Sequence, residues 1–204
     1  GGTNTTTATT VTLSGNNSFS GTTNIASGNL YLGSNTALNN STFSYNQGNG
    51  NLSFGTLTNA SFGGLTGNRN IDLENTGNVA LALTVGNNNS NTTDAANLTE
   101  NASGHQTGAS SLIKTGTGIL TLSGTNTYSG GTIIKGGLIN FISLAQFGSG
   151  KIILNGGGVQ YAVGTTLDLS ANLDPANGLS LGNDTIDTSI NSITFSSVLA
   201  GAGT

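Results

Sequence analysis

Apolar and polar residues alternate with period two along most of the chain. Val11 and Leu13 sit among Thr10, Thr12 and Ser14, and Leu30 and Leu32 flank Tyr31. Leu81, Leu83 and Val85 are separated by Ala82 and Thr84, and Leu120 and Leu122 enclose Thr121. Residues 151–154, 166–169 and 192–195 carry the same pattern. Alternation sends successive side chains to opposite faces, so each run predicts a half-buried strand. Gly, Asn and Ser clusters bound the runs, as turns require. No stretch spaces its apolar residues at i, i+3, i+4 and i+7, so almost no helix is expected.

Short strands at close spacing fit a sandwich, a barrel or a solenoid, and an internal repeat separates them. Val11-Thr12-Leu13-Ser14-Gly15 with Phe19-Ser20-Gly21 returns as Leu120-Thr121-Leu122-Ser123-Gly124 with Tyr128-Ser129-Gly130. The match continues with Thr23 and Ile25 against Thr132 and Ile134. It then slips by one residue, so that Gly28 and Leu30 align with Gly137 and Leu138. A coil absorbs such slippage at its corners, whereas a barrel of fixed shear does not. The fold expected is all-β, a parallel β-solenoid in a single segment over 1–204, with related repeats near 9–34 and 116–142.

Composition narrows the function. Only 6% of the 204 residues are charged, 34% are hydrophobic, 33 are Gly and none is Cys. Patterned apolar residues and a net charge of only −4 argue against disorder. Arg69, Lys114, Lys135 and Lys151 are the whole basic complement, too few to neutralise a phosphate backbone, so nucleic acid is excluded as a partner. The absence of Cys removes disulfides, thiolate metal sites and Cys nucleophiles.

The segment 116–132, which includes Leu120-Thr121-Leu122-Ser123-Gly124 and Tyr128-Ser129-Gly130-Gly131-Thr132, resembles the passenger-associated transport repeat of autotransporters. Residues 62–67, 154–161 and 193–203 are similar to flanking parts of such passengers. The first copy departs from the pattern, with Thr22 where the second has Gly131. The resemblance implies a right-handed parallel β-helix (β-solenoid), a segment of a longer surface protein that is secreted by, or displayed on, a Gram-negative bacterium and delivered by a C-terminal membrane barrel that these residues do not contain. It implies a structural or adhesive role in secretion, folding and display. Partners would be host or bacterial surfaces or glycans, and self-association through the solenoid ends.

Candidate chemistry is sparse. His105, the sole histidine, lies in a Gly-flanked loop with no nucleophile elbow near any Ser. Asp72 and Glu74 are two apart on one strand, share a face, and follow Arg69. They are the best acidic pair for a carbohydrate-active β-helix, with Ile71 and Leu73 taking the inner positions. Asp168 should point outward between Leu167 and Leu169, and Asp184 suits a turn. No Gly-Gly-x-Gly-x-Asp pattern of a calcium β-roll occurs. The expected catalytic, metal and cofactor residues are none, with the 69–74 strand as the alternative, enzymatic reading. Phe19 and Tyr128 occupy equivalent repeat positions and are expected to stack inside the coil.

Overall fold

The computed structural model describes residues 9–46, 48–100, 104–176 and 183–199. They form a parallel β-solenoid of about seven turns. Every strand pair is parallel and joins one turn to the next. Paired residues in adjacent turns lie 19 to 29 positions apart in the chain. A turn therefore has no fixed length, and insertions collect at its corners.

Three faces make the prism. The first carries Thr10–Leu13, Asn29–Leu32 and Asn51–Ser53 in one sheet, then Ile71–Asp72 and Leu98–Thr99 in another. The second carries residues 59–62, then Ala82–Val85, Ser111–Lys114, Thr132–Ile134 and Ile152–Leu154. The third runs from Thr22–Asn24 through residues 42–45 and 64–67 to Thr92–Asp94, Ile119–Leu122, Leu138–Phe141, Gly158–Tyr161 and Thr185–Asp187. The second and third faces belong to one twelve-stranded sheet. They are joined because Asn59–Gly67 runs round the corner, pairing at its start with Ala82–Val85 and at its end with residues 42–45 and Asp94.

The inward positions stack in files. Ala60, Leu83, Leu112, Thr132 and Ile152 follow one another on the second face, and Leu120, Ile139, Val159 and Ile186 on the third. Each fully buried aliphatic side chain stabilises by about 1.5–3 kcal/mol. Leu120 and Leu122 are buried and Thr121 is not, as the alternation predicts. Aromatic residues cluster twice, with the Phe43 ring 5.0 Å from Phe62 and the Phe141 ring 4.7 Å from Tyr161.

Asparagine has a second role besides turn formation. Corner backbone N–H groups point away from the ladders and need other acceptors. Asn89, Asn91 and Asn97 supply them, accepting through Oδ1 from the N–H of Thr117, Ile119 and Thr125 one turn away at 2.8–2.9 Å. Gly116, in the second repeat, has φ of +66° and lies so close to the previous turn that a Cβ would sit 2.0 Å from the Gly86 carbonyl oxygen. Gly116→Ala is expected to cost at least about 2 kcal/mol in chemical denaturation. Gly104→Ala, at φ +75° with open space around it, should cost less. Equal losses would show that inter-turn packing is not what requires Gly116.

Three expectations change. The runs 166–169 and 192–195 are not strands. Asp168 folds the first into a turn instead, with Oδ1 accepting from Ser170 N–H and Oδ2 from Ser196 N–H. Leu167 is consequently exposed while Leu169 enters the core. Tyr128 is fully buried, its Oη 2.7 Å from Thr132 Oγ1, but Phe19 is 43% exposed. Tyr128 has described turns on both sides, reached through Thr127 N–H to Leu98 O and Ser149 N–H to Tyr128 O. Phe19 lines an open apolar cleft with Val11 and Leu13.

Candidate functional site

The break in the first face forms a cleft. Asn51–Ser53 pairs with Asn29–Leu32 on one side, and Ile71–Asp72 pairs with Leu98–Thr99 on the other. The two strands belong to different sheets, although they occupy consecutive turns. Between them opens a cleft of about 300 Å³. Its floor is Leu52, Phe54 and Ile71; Asp72 and Glu74 line its rim with Ser53. Ile71 and Leu73 are buried, so the carboxylates of Asp72 and Glu74 share the outer side of their strand.

Both ends of the cleft are fastened. At one end Arg69 donates from Nη1 to Gly50 O and from Nη2 to Asn51 Oδ1 at 3.0 Å. Its guanidinium carbon lies 4.4 Å from the centroid of the Tyr45 ring, so the cation stacks on an aromatic face. At the other end Thr76 N–H and Oγ1 each donate to Gly55 O at 2.7 Å, and Asn75 Nδ2 donates to Leu57 O at 3.1 Å. Arg69 is therefore a strut between turns. Leu52, Phe54 and Tyr45 come from the preceding turn, and no local pattern in the sequence announces them.

The remaining candidates are dispersed. His105 is exposed in the loop between Leu98–Thr99 and Ser111–Lys114. Asp184 Oδ1 accepts from Gly156 N–H, and Asp187 Oδ2 from Gln160 Nε2. Hydrogen bonds from Ser170 and Ser196 hold the Asp168 carboxyl well below the usual range, and one from Gln160 lowers Asp187. These acids staple turns. Among the described residues no three His, Cys, Asp or Glu side chains come together as a metal site.

Two charged side chains lie inside the coil, and sequence reasoning missed both. Lys114 takes an inward position between Val85 and Ile134, its stem filling the core. Its Nζ donates to the carbonyls of Thr115, Gly116 and Gly136 at 2.6–3.3 Å, and burial lowers its pKa to about 8. Asp94 stands between Gly67 and Leu122 and is 1% exposed. Its two carboxylate oxygens are buried without a hydrogen-bond partner of normal geometry. Burial raises its pKa to about 7, against a weaker opposing pull from Ala96 N–H.

Comparison with known proteins agrees with this architecture. The passenger-associated transport repeat family matches residues 8–32 and 112–139. The adhesin BmaC autotransporter of Brucella suis biovar 1 (strain 1330) is 37% identical over 99 residues, which are 48% of this chain. The match spans 3% of the length of that relative. No solved structure matches. Each matched repeat makes one full turn and closes on itself, since Val11 pairs with Leu30 in the first and Leu120 with Ile139 in the second. Built on these turns, the chain carries two passenger-associated transport repeats.

Proposed function

We propose that this segment is a surface-displayed, adhesive stretch of its passenger, in a secreted or cell-surface protein of a Gram-negative bacterium, and that it performs no catalysis. The observation that carries the reading is the outer side of the third face. Asn24, Ser44 and Thr66 lie in register there, and so do Thr93, Thr121, Asn140, Gln160 and Asp187. The pairing of Gly67 with Asp94 joins the two runs. Asn140 Nδ2 donates to Gln160 Oε1 at 2.9 Å, and Gln160 Nε2 to Asp187 Oδ2 at 2.8 Å, which holds that end of the file rigid. An ordered row of hydroxyls and amides on a flat sheet recognises hydrogen-bonding surfaces at little entropic cost. The name of the Brucella relative supports adhesion, and its reach over a small fraction of that protein leaves the passenger's overall partners to experiment.

The test is retention of the purified chain on bacterial cells, host cells and immobilised glycans, with a Thr93→Lys/Thr121→Lys variant in parallel. Wild type should be retained and the variant, still folded, should lose most of its retention. The same preparations are incubated with acidic and neutral polysaccharides beside Asp72→Asn/Glu74→Gln. Turnover by wild type that the acid variant loses would replace the adhesive reading by an enzymatic one, because general acid–base groups contribute about 10²–10⁴-fold.

A further inference from the structure

We propose that Asn155 and Gly156 form a self-modifying site. The Asp184 carboxylate of the next turn acts there as general base, the Asn155 side chain closes to a succinimide, and water converts it to an aspartyl or isoaspartyl residue. The proposal is independent of the adhesive reading.

Ring closure needs an asparagine followed by the residue that obstructs it least, which is glycine. Three Asn-Gly pairs occur, at 49–50, 155–156 and 177–178, and the third lies outside the described residues. Asn155 and Gly156 are exposed at the corner that follows Ile152–Leu154, so water reaches them. At other corners Asn89, Asn91 and Asn97 engage their side chains with N–H groups of the next turn. Here the roles are exchanged. Asp184 Oδ1 accepts from Gly156 N–H at 2.7 Å, and among the described residues no hydrogen bond holds the Asn155 side-chain amide.

The fold holds the base in place. Thr185 pairs with Gly158, and Thr185 N–H donates to Gly157 O at 3.2 Å, which sets Asp184 over the Asn155–Gly156 corner. The carboxylate thus touches the one N–H whose proton must be lost. Asp184 takes that proton as Gly156 N forms a bond to Asn155 Cγ. The Cγ–Nδ2 bond breaks, and the side-chain nitrogen leaves as ammonia with the proton returned from Asp184. Water then adds to either ring carbonyl and opens the ring.

Space separates the two described pairs. Gly156 has φ of +91°, and a Cβ placed on it would meet nothing nearer than the Lys135 carbonyl oxygen at 3.4 Å, so its peptide has room to tilt toward the side chain. Gly50 is buried, a Cβ on it would collide with Ile25 Cγ2, and its carbonyl accepts from Arg69 Nη1 and Tyr45 Oη. The 49–50 pair is therefore locked and serves as a control in the same molecule. The modification also has a structural consequence. Asn155 N–H and Gly157 N–H both donate to Ile134 O. An isoaspartyl linkage inserts a methylene between those two donors and loosens the joint between adjacent turns.

The experiment follows deamidation by peptide mass spectrometry, on the folded chain at neutral pH and on the same chain in urea, with isoaspartyl methyltransferase labelling to locate the product. Position 155 should react roughly tenfold faster folded than in urea, and position 49 more slowly. Asp184→Asn keeps an acceptor oxygen over Gly156 and lacks the basic charge. It should slow position 155 by roughly tenfold or more and leave position 49 unchanged. Position 155 reacting no faster folded than in urea would overturn the site. Equal rates in wild type and a folded Asp184→Asn would overturn the role of Asp184. The wild-type comparison needs no variant, so the site is tested even if Asp184→Asn loses its fold, which its unfolding curve would show.

Discussion

Leu122→Asp is expected to unfold the middle of the coil, and Thr121→Asp to leave it folded. Leu122 is 1% exposed and its Cα pairs directly with that of Asp94. The substitution removes a packed leucine, worth about 2–5 kcal/mol on truncation. It also stacks a second carboxylate over one that already lacks a hydrogen-bond partner of normal geometry. Desolvation and like-charge repulsion then add several kcal/mol. The total is on the order of the whole stability of a domain. Thr121 lies on the outer side between Thr93 and Asn140, where a carboxylate stays hydrated. Far-UV circular dichroism in a urea series should give no cooperative transition for Leu122→Asp and a midpoint near that of wild type for Thr121→Asp. Equal effects would refute the assigned faces.

A second large effect concerns pH. The chain should become less stable as pH rises from about 4 to about 7, and Asp94→Asn should remove most of that slope. In the folded chain burial holds the Asp94 proton up to about pH 7, whereas its ordinary value is 3.8. Between those values the native state binds more protons than the unfolded state, so stability falls with rising pH and then levels off. The shift corresponds to a few kcal/mol, roughly 4 at most. Asp94 sits on Thr92–Asp94 between Asn59–Gly67 and Ile119–Leu122, and none of these strands carries another titratable group. Lys114 is the other charged side chain buried among the described residues. Its lowered pKa acts between about 8 and its ordinary 10.5, where the unfolded chain binds more protons and stability rises with pH. Asp168 and Asp187, held low, act below the ordinary carboxylate range and leave the pH 4–7 window clear. Urea midpoints at pH 4.5, 6 and 8 would check this. A flat wild-type profile would mean that Asp94 is hydrated in the folded chain.

The sequence by itself determined the local half of this structure. Alternation at Val11, Leu13, Leu30, Leu120 and Leu122 needs only the period of the pleat, and it assigns strand and inner side with no knowledge of neighbours. The repeated Leu-Ser-Gly and Ser-Gly corners identified the coil, because a repeat with slippage requires a solenoid. Asp72 and Glu74 could be placed on one face from their spacing alone. The tertiary structure decided which turn meets which, and that depends on turn lengths between 19 and 29 residues set by corner insertions. It placed the paired strands of the first repeat on the first face and their equivalents, Ile119–Leu122 and Leu138–Phe141, on the third. The repeat thus encodes a turn and not a face, since any side of the prism offers the same aliphatic interior. Inter-turn distance also decided that Asn51–Ser53 and Ile71–Asp72 part to form a cleft, and that Phe54 and Tyr45 stand beside the acids. Nothing within ten residues of Asp72 encodes that neighbourhood. Asp94 and Lys114 point inward for the same reason: their strands are locked in register by hydrophobic neighbours above and below, and the charged side chain follows the pleat.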